Sequence, residues 1–326
     1  MIELFVVKDT EWLELVVETV TWEGARFKAP RKITAQIVTK QGAQKYYSVN
    51  EGDTVLFKWK GAELFRGTVF NRTPNDGLLG FVAYDMLQYM VANKDVYVFS
   101  NQRADQIVRR MANDFRIPLT SLANTGHVIK SLVVKNDTSL YDIWLQAYKV
   151  SRKQNGRNFQ LYSTKGKLGL RAWPDPTEVY VIESGNNLID YSYKTSIEDT
   201  ATRVKIRMEK DGRTYTAVAN DKSNQKKFGV LQYTESVTDD INSGQLQERA
   251  NNLQKQKKGV QEELSGIKAV GITDAVSGMP IRVIIKEESI DHNYWIDNDV
   301  HEFKGSSHTM TFDVVKQNTV PEGANA

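Results

Sequence analysis

The sequence contains no cysteine among its 326 residues. This absence excludes disulfide bonds and zinc sites with thiolate ligands, and it suits folding in a reducing cytosol. No apolar run approaches the ~18 residues that a membrane-spanning helix needs, and residues 2–9 carry charges inside a short apolar stretch. We therefore predict neither a signal peptide nor a membrane anchor.

The sequence also lacks a strong excess of charge of either sign, because it has 43 Lys and Arg residues and 40 Asp and Glu residues, for a net charge of +3. Such a balance argues against nucleic acid or an acidic membrane as the main partner. Basic pairs such as Arg109-Arg110 and Lys226-Lys227 are interleaved with acids, which is typical of a solvated surface. We predict no sequence-specific contact with nucleic acid.

Motifs for nucleotide binding, zinc proteases and serine hydrolases are absent. The histidines His301 and His308 could meet across a hairpin, near three aspartates at positions 291, 297 and 299, but this pattern favours packing over a metal site. The glutamate pairs at 262–263 and 287–288 are adjacent in sequence, so each pair would point to opposite sides of a strand. We predict no catalytic, cofactor-binding or metal-binding residue.

The closing segment, residues 301–315, shows strict alternation. Its residues His308, Met310, Phe312 and Val314 fall on one side, and polar residues such as Thr311 fall on the other. This is the period of a half-buried strand, and the turn at 305–307 predicts a hairpin before it. Residues 316–326 are predicted to form a flexible tail.

The first 93 residues are predicted to form short strands with regular turns. Ile33, Ala35 and Ile37 alternate with polar residues, as do Val55, Phe57 and Trp59. Asp85 can cap a short helix after the last of these strands. Several short strands and one helix predict a first β domain.

Residues 94–177 are predicted to form an inserted α+β domain. One amphipathic helix begins after a cap at Asn101 and stops before Pro118, and another begins near Ser139 and ends before Asn155. A hairpin with a turn at 165–166 follows, and Trp173 begins an exit linker. This arrangement predicts a compact insert between two β regions.

Strands are predicted to return at 178–219, where they complete the first β domain, and at 220–315, where they form a second one. A polar loop at 220–227, a strand at 228–233 and a helix at about 243–258 are expected in the latter. The predicted fold class is α+β, mainly β, with two β domains and an inserted small α+β domain.

A set of short motifs carries a family resemblance. They include Phe65, Arg66, Gly67, Tyr84, Asp85, Gly229, His301, His308, Met310 and Phe312. In this order they resemble the tail hub proteins of contractile phages, of the XkdQ/YqbQ type found in defective Bacillus prophages and phage-tail-like bacteriocins. This group is akin to the late control protein D family.

The resemblance implies two β-barrels similar to tube proteins, in a homotrimer that joins the hexameric tail tube to the trimeric central spike around a channel. It also implies baseplate wedge, LysM-like tail and tape measure proteins as further partners. The expected location is the tail baseplate of a virion or bacteriocin particle assembled in the bacterial cytoplasm, with no enzymatic activity. The alternatives are a tail-tip peptidoglycan hydrolase and a carbohydrate- or host-binding module, which exposed aromatics such as Trp144 or Trp173 could serve.

Overall fold

A computed structural model describes residues 1–173, 179–210, 212–238 and 241–318. The chain divides into two compact units: unit 1 comprises Met1–Asp190 and Gly266–Ala326, and unit 2 comprises Tyr191–Ser265. Strands account for 56% and helices for 17% of the structure, which confirms a mainly β fold with large antiparallel sheets. The two-barrel layout and the domain boundaries at 93, 177 and 219 stay predictions. Within the described ranges no helix is long and apolar enough to cross a membrane.

The first part of unit 1 consists of antiparallel strands and a short helix. They are β1 (Ile2–Lys8), β2 (Glu11–Glu14), β3 (Val17–Ala25), β4 (Lys28–Val38), β5 (Lys40–Gln41), β6 (Gln44–Lys45), β7 (Thr54–Trp59), β8 (Ala62–Asn75), β9 (Leu78–Tyr84) and α1 (Leu87–Ala92). The predicted faces are confirmed, because Ile33, Ala35 and Ile37 are all buried, as are Val55 and Phe57.

The predicted insert also belongs to unit 1. Its elements are β10 (Lys94–Arg103), α2 (Ala104–Asp114), β11 (Leu119–Leu122), β12 (Val128–Ser139), α3 (Leu140–Asn155), β13 (Phe159–Thr164) and β14 (Lys167–Ala172). Helix α3 begins as predicted, because the Ser139 hydroxyl accepts a hydrogen bond from the Asp142 N–H. It ends at Asn155, one residue later than predicted, and Gly156 takes the left-handed conformation at the C-cap.

The prediction that Asn101 caps α2 is wrong. Asn101 continues strand β10, and the helix begins at Ala104. The Gln106 side chain instead accepts a hydrogen bond from the Arg103 N–H at 2.9 Å. This is one half of a capping box, in which the side chain of the third helical residue accepts from the backbone N–H of the cap residue.

The remaining elements include those of unit 2. In chain order they are β15 (Tyr180–Glu183), β16 (Leu188–Ser196), β17 (Arg203–Lys210), β18 (Arg213–Asn220), α4 (Lys222–Phe228), β19 (Gln232–Val237), α5 (Ser243–Gln256), β20 (Gln261–Val270), β21 (Pro280–Ile285), β22 (Ile290–Lys304) and β23 (Ser307–Val315). The predicted polar loop at 220–227 is wrong, because Asp221 accepts a hydrogen bond from the Asn224 N–H and starts α4. The following strand consequently begins at Gln232 instead of Phe228.

The closing hairpin joins the chain's last strands to its first ones. Strand β23 pairs with β22, as predicted, and β22 then pairs with β3, so that the order runs β23-β22-β3-β4-β9-β8-β7-β1-β2. In this register His301 lies opposite Trp22 and Phe303 opposite Val20. One hydrogen-bonded ladder therefore connects residues that are 273 to 285 positions apart in the sequence, from Asn298 with Ala25 to Lys304 with Thr19.

Unit 2 has its own small core. Its sheet has the order β18-β17-β19, and α5 covers one face. Leu246 and Ala250 of the helix pack with Val204 and Ile206 of the central strand. The helix predicted at about 243–258 is thus confirmed as α5.

Candidate functional site

A buried ion pair lies where strands β3, β4 and β22 meet. Arg31 donates hydrogen bonds of 2.9 and 2.5 Å to the two carboxylate oxygens of Asp299, whose side chain is fully buried. Asp299 also accepts a hydrogen bond from the Ser277 N–H. Burial alone would raise the pKa of Asp299, but the Arg31 charge and these hydrogen bonds hold that pKa well below its usual range.

The two histidines of the closing hairpin extend this network. The Nδ1 atom of His301 lies 3.0 Å from the Nε2 atom of His308, so the predicted meeting across the hairpin is present. On its other side, Nε2 of His301 lies 3.4 Å from the Asp299 carboxylate. Burial, together with the charges of His301 and Lys60, lowers the pKa of His308 to about 4, so His308 is neutral at neutral pH.

Aromatic rings enclose the charged groups. The Arg31 guanidinium lies 4.2 Å from the ring centroid of Trp22, within the range of a cation–π contact. The His308 ring stacks on Phe303 at 4.2 Å, and Trp59 lies 5.0 Å from Phe303. These apolar neighbours lower the local dielectric, which strengthens the ion pair and makes an unpaired charge costly.

A cavity of about 110 Å³ adjoins the ion pair. It is lined by Trp22, Arg31, Glu63, Leu64, Phe65, Arg66, Asp85, Ser163, Thr164 and Lys165. Two buried donors from this lining, Nε1 of Trp22 and Nε of Arg31, have no hydrogen-bond partner among the residues that the structure describes. The volume is enough for several water molecules, and it is well below the roughly 300 Å³ at which pockets for small molecules begin.

Three of the ten residues that carry the family resemblance lie at this cavity. Phe65, Arg66 and Asp85 line it directly. Gly67 lies where β8 pairs closely with β9, and a Cβ atom there would stand 2.2 Å from the backbone oxygen of Tyr84. Only glycine permits that approach of the two strands.

Among the titratable groups that line the cavity, Asp85 has the largest shift in pKa. Its carboxylate accepts a hydrogen bond of 2.9 Å from the Leu87 N–H at the start of α1, although the cap position is occupied by Met86 and not, as predicted, by Asp85. Only 4% of the residue is exposed. Burial raises the pKa of Asp85 to about 7, against the opposing effects of the Leu87 N–H and Arg31.

The remaining residues of the resemblance lie in three settings. His301 and His308 form the network described above, and Met310 and Phe312 are buried in the closing strand at 1% exposure. Gly229 belongs to unit 2, where its carbonyl accepts a hydrogen bond of 2.9 Å from the Thr202 hydroxyl. The sequence motifs therefore do not form one site.

The aspartates considered near the histidines have other partners. Asp297 accepts hydrogen bonds from Arg26, and Asp291 accepts two from Arg282. In the part of the chain that the structure describes, no group of three potential ligands could hold a metal ion. The arrangement is suited to fixing the strands relative to one another.

Comparison with known proteins decides the family. The family model described as YQBQ-like matches residues 20–315. The chain belongs to the YQBQ-like family. The protein is 65% identical to the phage-like element PBSX protein XkdQ of Bacillus subtilis over 325 residues, which covers all of both chains. The resemblance to the XkdQ/YqbQ type is thereby confirmed.

Solved structures of tail proteins have a fold similar to that of this YQBQ-like chain. A 43 kDa tail protein of prophage MuSo2 from Shewanella oneidensis matches with a TM-score of 0.67 and 13% identity, covering 96% of this chain and 98% of that one. An Escherichia coli component of the type VI secretion system, described as similar to bacteriophage T4 tail proteins gp27 and gp5, matches with a TM-score of 0.57 and 9% identity, covering 97% of this chain and 77% of that one. The fold is that of phage tail proteins.

Sequence reasoning missed the Arg31–Asp299 pair. The two residues are 268 positions apart, and neither belongs to a local motif. Asp299 was noted only for its place near His301. One available signal is Arg31, a charged residue in phase with the inward Ile33 and Ala35 of its strand, because a charge on an apolar face is rare unless it is paired.

Proposed function

We propose that this protein is a structural component of the baseplate hub of a contractile phage tail or phage-tail-like particle. In this function it joins the hexameric tail tube to the trimeric central spike and surrounds the channel. The family of this chain includes a protein of a phage-like element, and its fold is that of tail proteins over nearly the whole chain. These observations support the proposal.

The pairing of β22 with β3 suits a structural protein that must resist mechanical force. Seven residue pairs, from Asn298 with Ala25 to Lys304 with Thr19, connect the closing hairpin to the early strands. Separation of these strands requires loss of the whole ladder, and the buried Arg31–Asp299 pair lies beside it. Removal of one partner from such a buried pair is strongly destabilising.

The two alternative functions receive less support. Both aromatics considered for host binding are buried, since Trp144 is 2% exposed and Trp173 is 8% exposed. Trp173 also donates a hydrogen bond from its ring to the Gly278 carbonyl. For a hydrolase, Glu63 and Asp85 both line the cavity, but Arg66 holds Glu63 in two hydrogen bonds and the volume is below that of usual ligand pockets.

Assembly with partners tests the proposal. We expect a trimer of this chain when it is co-expressed with the tube and spike proteins of its own particle, because a hub must match the threefold spike. Mass photometry and electron microscopy of the purified complex measure the copy number. A dimer, a ring of six copies of this chain, or no association with either partner would contradict the proposal.

A further inference from the structure

The sheet of unit 2 carries a row of cations on the face opposite α5. Along β17, Val204, Ile206 and Met208 are buried in the small core, and the side chains between them are Arg203, Lys205 and Arg207. Successive side chains of a strand point to opposite faces, so the three cations share the outer face at intervals of about 6.6 Å.

The neighbouring strands surround this row with uncharged side chains. The residues paired with the three cations are Asn220, Val218 and Thr216 of β18 and Gln232, Thr234 and Ser236 of β19. The carboxylate of β19, Glu235, belongs to the other face and pairs with Arg249 of α5. Over these paired positions, all of which the structure describes, the outer face bears no carboxylate; Glu209 ends the row beyond Arg207.

Helix α4 continues the positive charge at the other end of the row. Arg203 donates a hydrogen bond of 3.1 Å to the Asn220 side chain, and Gln225 of α4 donates to the same oxygen at 3.1 Å. The next two residues of the helix, Lys226 and Lys227, are exposed. The nearby Asp221 carboxylate accepts hydrogen bonds from Ser223 and Asn224, which lower its pKa to about 2.

The composition of this surface distinguishes between classes of partner. Protein interfaces are enriched in aromatic residues and depleted in Lys at their core, whereas this face has Val218 as its one apolar side chain over the paired positions. Single-stranded nucleic acid is bound by stacking of bases on aromatic rings, and none is present among these positions. Arg, Lys, Ser, Thr, Asn and Gln are the residues that contact the phosphates and sugars of DNA.

We propose that the basic face, defined as Arg203, Lys205 and Arg207 with the hydroxyl and amide side chains paired to them, binds the phosphate backbone of duplex DNA without reading its sequence. The three cations would each neutralise a phosphate. The neighbouring hydroxyl and amide groups would donate hydrogen bonds to phosphate oxygens. This agrees with the absence of any predicted sequence-specific contact.

Binding to two labelled duplexes of equal length and unrelated sequence tests the proposal, with the full-length protein and fluorescence anisotropy as the readout. Three phosphate contacts predict a slope of about −2.7 in log affinity against log salt, which is about 40-fold weaker binding at 200 mM than at 50 mM salt. Equal affinity for the two duplexes is expected. A difference of more than about tenfold between them would overturn sequence-independent binding.

The triple variant Arg203→Gln, Lys205→Gln, Arg207→Gln should bind at least about tenfold more weakly, with a salt slope near zero. The matched control removes three exposed cations of the insert, as Arg109→Gln, Lys130→Gln, Lys135→Gln, and has the same net charge. The control should bind like the unmodified protein, and melting curves of both variants check folding. Equal binding by the two variants, or competition by polyglutamate as strong as that by unlabelled duplex, would overturn the proposal.

Discussion

Phe312 is the residue on which the closing strand most depends. It is 1% exposed, and its paired residues are Ile267 on β20 and Asp299 on β22. Phe312→Ala would leave a cavity between these strands, so we expect a loss of about 3–5 kcal/mol in the free energy of unfolding. Denaturant unfolding of the full-length protein measures it.

Thr311→Ala is the matched control for Phe312. Thr311 is the next residue of the same strand and points to the other face, where it is half-buried. Its replacement should change the free energy of unfolding by less than about 1 kcal/mol, because no large buried group is lost. Equal losses for the two variants would contradict the assignment of the two faces.

Asp85 should give the stability an unusual dependence on pH. Its folded pKa of about 7 lies above the ordinary value of 3.8 for this carboxyl. Between pH 4 and 7 the folded protein therefore binds more protons than the unfolded chain, and ionisation of Asp85 lowers stability as the pH rises. We expect Asp85→Asn to gain about 2–4 kcal/mol relative to the unmodified protein between pH 5 and pH 8. Urea unfolding at both pH values measures this change.

His308 provides a comparison of opposite sign. Its folded pKa of about 4 lies below the ordinary value of 6.5, so protonation of the unfolded chain lowers stability as the pH falls from 6.5 to 4. His308→Gln should therefore gain stability relative to the unmodified protein toward pH 5, while Asp85→Asn gains toward pH 8. Changes in the same direction for both variants would show that these assignments are wrong.

At the scale of elements, local patterns predicted the strands and helices well where burial has a clear period. The alternation of Ile33, Ala35 and Ile37 and the cap at Ser139 are examples. Helix α4 could not be predicted from apolar spacing, because it has no buried residue. The Asp221 cap and the hydrogen bonds of Gln225 to Thr202 and Asn220 hold it instead.

Removal of the closing strand tests the importance of that element. Truncation after Ser307 eliminates nearly all of β23, which pairs with β22 on one side and β20 on the other. Both neighbours would then expose unpaired hydrogen-bonding groups, which favour aggregation. We expect insoluble protein, measured as the soluble fraction after expression.

Truncation after Lys316 is the control for that experiment. Among the described residues that it removes, Asn318 accepts a hydrogen bond from Arg26 at 3.2 Å, and no strand is lost. The shortened protein should stay soluble, with a melting temperature within a few degrees of the full-length value. A soluble protein with unchanged melting after the Ser307 truncation would contradict the closing role of β23.

At the scale of the whole molecule, the pairing of strands that are distant in the sequence could not be predicted. Residues 220–315 were assigned to a domain of their own, and nothing local to Val300 or Phe303 indicates that β22 pairs with β3. The half-buried strand pattern fixes which face of β22 is inward, but it leaves the partner strand open. The ion pair between Arg31 and Asp299 could not be predicted for the same reason, because the two residues come together through the pairing of β22 with β3.

The purified whole protein should not degrade peptidoglycan. Glycoside hydrolysis needs two carboxyl groups on either side of the bond that is cut, and among the described residues Glu63 and Asp85 both line one cavity. We expect no clearing of a peptidoglycan suspension at any pH from 5 to 8, because Glu63 is held by Arg66 and the cavity is smaller than the usual ligand pocket. Turbidity and zymogram assays measure this. Clearing that is lost in both Asp85→Asn and Glu63→Gln, but retained in Glu262→Gln on an exposed position of β20, would establish the hydrolase alternative.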